Sequence, residues 1–311
     1  MTRVLLRGGS VYSPADPFAT AMLVDGGVVA WLGADSAAQA HLDAADVVVD
    51  LDGALVTPAF VDPHVHATST GIALDGLDLT TAASLAECLD ALERFCRARR
   101  GHHVLGHGWD ETRWPEQRPP TRRELDRASY GGVVYLTRID VHSAVASSAL
   151  LAALPEIGGL DGYDDSGVLT REAHHVARAA ALGTIGPEQR RRAQALTRER
   201  AASLGIAVVH ELGGPEISSD DDFAAMLALG RDEPGPDVVG YWGELDGPGR
   251  EGVARAKALG ALGAAGDLFA DGAIGSRTAA MRGHYHDHDT CGAAYLSAEQ
   301  VRDHLVACTR A

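Results

Sequence analysis

The sequence predicts an α/β fold of parallel β/α units preceded by a small all-β segment, and three observations carry that prediction. After residue 204, short apolar strands alternate with helical segments at a spacing of roughly 30 residues, as parallel strands joined by helical crossovers do. His64, His66, His210 and Asp271 fall at the C-terminal ends of such strands, the ends where these folds gather their chemistry. Before residue 54, apolar runs are separated by Asp-Gly and Gly-Gly turns, the pattern of a β meander.

Bulk properties bound the function. A chain of 311 residues, 46% hydrophobic and 23% charged, suits one large globular domain plus a smaller one. No apolar run approaches the roughly 20 residues of a membrane span, and Arg3 with its short apolar run makes no signal peptide, so a cytoplasmic protein is expected. A formal charge of −16 repels nucleic acid and anionic membrane, which leaves a small molecule as the expected partner; the same charge also serves plain solubility. Cys88, Cys96, Cys291 and Cys308 show no Cys-x-x-Cys spacing and read as packing residues.

The first runs, Val4-Leu5-Leu6, Ala21-Met22-Leu23-Val24, Val28-Val29-Ala30-Trp31-Leu32 and Val47-Val48-Val49, supply the strands of the meander, a domain over residues 1–54. The stretch 55–66 then reads Leu-Val-Thr-Pro-Ala-Phe-Val-Asp-Pro-His-Val-His, a buried strand stopped by Pro63 before two histidines one residue apart. Side chains two apart on a strand share a face with α-carbons roughly 7 Å apart, so His64 and His66 can reach one divalent ion. Imidazole suits zinc and several other metals, although a bare His-x-His is more often solvated surface.

This segment resembles the first-strand motif of the metal-dependent amidohydrolase superfamily, and later segments resemble its branch that includes N-substituted formamide deformylase. The resemblance implies a (β/α)8 TIM-type barrel over 55–311, of which only the first half is present, with an insertion at about 71–203. It implies that residues 1–54 are the N-terminal part of a small β-sandwich otherwise completed by strands from the far C-terminus. It further implies hydrolysis of a non-peptide C–N bond by metal-activated water, with the catalytic aspartate beyond Ala311.

Within the insertion, Ser84 and Glu87 form a capping box ahead of a helix with apolar Leu85, Cys88, Leu89, Leu92 and Phe95. Gly106-His107-Gly108-Trp109-Asp110, with Pro120-Thr121 and Glu124-Leu125-Asp126 downstream, is similar to the deformylase-like branch; Trp109 either walls a substrate pocket or sits in plain core. Residues 133–142 read as one strand whose far end places Arg138, Asp140 and His142 on one face. The run is similar to an Arg-x-Asp-x-His run near the family's active-site mouth, which implies that His142 is a metal- or substrate-contact candidate, against the alternative that Arg138 and Asp140 simply pair. The helix over 188–203 is strongly basic and expected to be solvated, and His174 and His175 receive no role.

Three β/α units are expected after 204: strands at 205–211, 238–242 and 268–272, with helices near 220–230, 249–262 and 298–309. The run 267–279 is similar to a family segment whose first position is often a lysine, carboxylated to bridge two metals. Here that position is Asp267, and the one lysine of the chain, Lys257, lies on a helix. One ion, taken as zinc, is expected rather than two, with Asp267 a carboxylate ligand only if its backbone moves inward. His210, Asp271 and Arg277 are further substrate-contact candidates, Arg277 for an anionic group or as a structural salt bridge. The dense run His284, His286, His288 reads as a solvated loop. A half barrel leaves an open sheet edge, so self-association is expected, as is the alternative that the chain is a non-catalytic fragment.

Overall fold

The computed structural model describes residues 2–101, 103–215, 217–247, 249–275 and 277–311 and divides into two compact units, Met1–Phe60 and Val61–Ala311. Ser276, within the family-like run 267–279, lies outside the described residues.

In the first unit, β1 (Arg3–Arg7) pairs antiparallel with β2 (Ala21–Asp25), and β2 pairs antiparallel with β3 (Val28–Gly33) through a turn at Gly26 and Gly27. Both glycines have positive φ, as the tight two-residue hairpin turn demands. β4 (Val47–Asp50) joins β1 in parallel instead of continuing the meander, because the helical segment 35–44 carries the chain across the sheet. Leu5, Ala21 and Leu23 bury themselves against Ala38 of that segment, and Ser10–Val11 and Leu55–Val56 form a separate parallel ladder.

In the second unit, β5 (Phe60–Val65) leads into α1 (Ala67–Asp75). The insertion then builds its own sheet of five strands. These are β6 (Leu77–Asp78), β7 (Val104–Trp109), β8 (Val134–Arg138), β9 (Ser143–Ala146) and β10 (Val168–Thr170), in spatial order β10-β9-β8-β7-β6. β6, β7 and β8 are parallel, while β9 and β10 run antiparallel. One face packs Leu77, Trp109, Leu136 and Val145 on α2 (Leu85–Ala98) and α3 (Arg122–Ala128) through Cys88, Leu92 and Leu125. The other packs Tyr135, Ala144 and Leu169 on α4 (Arg171–Gly183) through Ala173, Ala177 and Ala181. Of the expected Ser84–Glu87 box one arm forms, Ser84 Oγ accepting from the Glu87 N–H, while the Glu87 carboxylate accepts from the Ala83 N–H instead; Thr121 and Glu124 form a complete box.

The expected single strand over 133–142 breaks at Arg138. Asp140 Oδ1 accepts from the His142 N–H and Val141 takes a positive φ, so the chain turns back into β9 and Arg138, Asp140 and His142 share no strand face.

α5 (Pro187–Ser203) corrects the expectation of a solvated helix. Its Gln194, Thr197 and Arg198 are buried against α1 and the second sheet, and the Arg198 guanidinium donates to the carbonyls of Leu229, Glu233 and Pro236. That second sheet has the order β12-β11-β5, with β11 (Ile206–Gly213) parallel to β12 (Asp237–Trp242). Val65 and Val209 face Met226 and Leu229 of α6 (Asp220–Asp232). Among the described residues β5 is an edge strand, so Phe60 and Val61 are 64% and 51% exposed instead of buried.

Residues 268–272 form no strand. A single parallel bridge joins Tyr241 to Gly263, after which Gly266 and Phe269 take positive φ and leave the β region. α7 (Gly252–Ala258) and α8 (Ala298–Arg310) follow, the latter capped by Ser297 as its sequence predicts.

Candidate metal centre

β5 alternates as a strand must: Val65 turns into the core, and His64 and His66 turn to the opposite face. Their rings stand edge to face, 5.1 Å between centroids. The Asp62 carboxylate accepts from the His64 N–H and holds the strand end. His66 is also the last residue before α1, whose first N–H, on Ala67, donates to Glu211 Oε2 at 2.8 Å. The Glu211 oxygen thereby satisfies an N–H that has no partner within the helix.

Asp267 completes the site. Its two oxygens lie 3.4 Å from His64 Nε2 and 2.8 Å from His66 Nε2, and the three side chains can offer ligand atoms within 4.8 Å of one another. Gly243 lets the backbone at Asp267 come close. A β-carbon on Gly243 would stand 3.1 Å from the Asp267 nitrogen and 3.2 Å from its carbonyl oxygen, so the chain rests where a side chain would be. Lys257 remains on α7, donating to the Ala311 carbonyl, so it takes no part in a bridge.

The chemistry of the donors fits a cation. His66 Nδ1 lies 2.9 Å from the Leu212 carbonyl, which can only accept, so Nδ1 carries the proton and Nε2 presents its lone pair. That lone pair faces an Asp267 oxygen at 2.8 Å, acceptor against acceptor. A proton or a metal ion between them reconciles the pair. Burial lowers the His66 pKa in spite of Asp267, which disfavours the proton and leaves the arrangement suited to a divalent ion.

The other sequence candidates lie elsewhere. Trp109 is 2% exposed, its indole donating to the Leu136 carbonyl beside Trp114, so it is core and walls no pocket. His142 lies in the β8–β9 turn and lines a broad cleft with His174, His288 and Arg277. His210 points away from the metal face and packs on Tyr241 because it alternates with Glu211 along β11. Asp271 accepts from the Ala280 N–H and serves its own loop. Arg277 pairs with Asp287 at the surface, the structural salt bridge of the two options. His284 pairs with exposed Asp289, and among the described residues the histidine-rich loop gathers no ligand group.

Glu211 was missed. It closed the strand expected over 205–211 and was given no role, whereas β11 runs on to Gly213 and turns Glu211 inward. Burial, helped by the nearby Asp222 carboxylate and opposed by the Ala67 N–H, raises its pKa to about 8.

An amidohydrolase family profile matches residues 47–311. N-substituted formamide deformylase of Arthrobacter pascens is 35% identical over 136 residues, covering 43% of this chain and 25% of that protein. Putative amidohydrolase YtcJ of Bacillus subtilis (strain 168) is 26% identical over 290 residues, covering 84% and 52%. The crystal structure of an uncharacterized metal-dependent hydrolase from Pyrococcus horikoshii OT3 superposes with a TM-score of 0.72 at 23% identity, over 99% of this chain and 63% of that one. The matches thus span about half or less of the two curated relatives.

Proposed function

The chain belongs to the amidohydrolase family, and from that premise we propose that it hydrolyses a non-peptide C–N bond, of amide or formamide type, at the His64, His66 and Asp267 centre. The observation that carries the reading is the convergence of two imidazole nitrogens and one carboxylate, with the His66 tautomer fixed by Leu212. A bound divalent ion would lower the pKa of water to about 7 and polarise the scissile carbonyl. We take the ion to be a single zinc, because one carboxylate as short as Asp267 serves one ion and the chain offers no lysine to bridge two.

The residues of this chain would act around that ion. His64 and His66 orient it, Asp267 holds charge against it, and Glu211 keeps the start of α1, and with it His66, in place through the Ala67 N–H. The surrounding architecture is read as part of a (β/α)8 barrel, to which β5, β11 and β12 contribute. A second reading, a chain that binds metal without turnover, is favoured by the open outer edge of β5.

Metal analysis of the purified chain, with an assay on N-benzylformamide, N-acetylphenethylamine, the matching ester and a dipeptide, tests both. Stoichiometric metal with cleavage of the amides supports the hydrolase. Stoichiometric metal without turnover supports the second reading, and absence of metal overturns both.

A further inference from the structure

α1 is seated with little help from large apolar side chains. Its buried residues are Ala67, Thr68 and Gly71, and Gly71 lays its backbone on α5, where a β-carbon would collide with the Ala193 carbonyl. The polar bonds that hold the helix are gathered on its first turn, beside His66.

The peptide joining His66 to Ala67 is bonded at both of its polar atoms. The His66 carbonyl accepts from the Thr70 N–H at 2.9 Å, and the Ala67 N–H donates to Glu211. The Ala67 carbonyl in turn accepts from Thr197 Oγ1 at 2.7 Å. Thr68 Oγ1 donates to Asp222 Oδ1 at 3.0 Å and accepts from Gln194 Nε2 at 3.0 Å, and the same Nε2 reaches the Asp222 carbonyl at 3.0 Å. Side chains of α5, α6 and β11, from 126 to 154 residues away, thus converge on two consecutive residues. Thr68, Gln194, Thr197, Glu211 and Asp222 are each at most 8% exposed.

Burying a carboxylate is a costly way to seat a helix. Asp222 has Arg190 at 3.7 Å, and well-packed apolar side chains would hold α1 as firmly without the desolvation. What directional bonds add is a single fixed placement. Placement matters at this point because His66 takes a φ of −109° and a ψ of 87°, outside the helix, so its ring serves the metal face while its carbonyl already belongs to α1. A displacement of Ala67 and Thr68 is therefore passed on to the His66 ring.

We propose that Thr68 and Asp222 are positioning residues for the metal ligand His66: their bond, backed by Gln194, fixes the first turn of α1 and through it the direction of Nε2. The proposal rests on the metal-centre reading above for the role of His66, and it extends the support given by Glu211 to α5 and α6.

The test titrates zinc into the full chain by calorimetry and records the visible absorption of cobalt(II) bound in its place, a reporter of ligand geometry. Thr68→Val removes the hydroxyl at nearly constant shape and should weaken zinc ~10-fold, the low end of the range for groups that act through a ligand, with shifted cobalt bands. Thr68→Ser restores the hydroxyl and should restore both readouts, while Asp222→Asn, which keeps an acceptor for Thr68, should lose less than Thr68→Val. Melting curves of the chelated proteins establish that each variant is folded at the titration temperature, and Thr68→Ala replaces Thr68→Val if the latter is not. In a His66→Ala background Thr68→Val should change zinc affinity by less than ~2-fold, since the ligand it acts through is gone. Unchanged affinity and bands in Thr68→Val, or an equal loss with and without His66, overturns the proposal and leaves the metal centre standing. A wild-type chain that binds no zinc overturns the metal centre and the proposal with it. The expected pattern of affinities in a chain that cleaves no amide keeps the proposal and refutes turnover.

Discussion

Asp267→Ala separates metal binding from folding, because the two effects of this carboxylate have opposite signs. Without metal, Asp267 faces the lone pair of a neutral His66, so its removal relieves an acceptor-to-acceptor contact and stability should change by less than ~1 kcal/mol. With metal, the carboxylate is one of three ligands and the only anionic one, and its loss should weaken binding by ~100-fold or more, at least the effect of losing an outer-shell partner. Linkage turns this into a melting shift. At zinc equal to 100 times the wild-type Kd, the folded state gains ~2.7 kcal/mol, which for a chain of this size raises Tm by ~5 °C. At the same zinc concentration the variant sits near its own Kd and gains ~0.4 kcal/mol, a shift of ~1 °C. Scanning calorimetry of both proteins, chelated and zinc-loaded, reads all four values. A variant that keeps the full wild-type shift would show that Asp267 is no ligand and would refute the site as built here.

Three further perturbations test the placements around it. Trp109→Ala should cost ~3–5 kcal/mol in urea unfolding and leave zinc affinity unchanged, since the indole is core; altered binding with unaltered stability would contradict that. Arg198→Ala strips the donors from the carbonyls of Leu229, Glu233 and Pro236 and should cost ~3 kcal/mol; a loss below ~1 kcal/mol would mean the buried guanidinium does not hold α5 to the second sheet. Glu211 keeps its proton to about pH 8 when folded and loses it near pH 4.3 when unfolded. Its stabilising contribution is therefore complete below ~4.3 and lost as pH rises through about 8, and Glu211→Gln should flatten the pH dependence of the chelated protein; equal slopes in the two proteins would refute the assignment.

The two histidines were legible because strand alternation alone puts both on one face, and the caps Ser84 and Ser297 were legible because capping is local. What escaped the sequence was set by contacts far along the chain. Whether Asp267 reaches the histidines depends on Gly243, and whether Trp109 faces a cleft depends on which side of β7 receives α2. Arg277 as a letter fits an anion site or a salt bridge equally well, and only its neighbour Asp287 decides between them. The strand expected at 268–272 has the right composition but loses its ladder to Gly266 and Phe269. α5 looked solvated because charge count ignores that one arginine can satisfy three carbonyls.

His64 rides on β5 and His66 follows its last residue, and among the described residues the backbone of β5 is laced to a neighbour on one side only. The grip on a metal ion is consequently as firm as that single seam allows. Any segment or second chain that zips along the bare rim would stiffen the claw, and thermodynamic reciprocity requires that a captured ion favour the zipping by the same free energy.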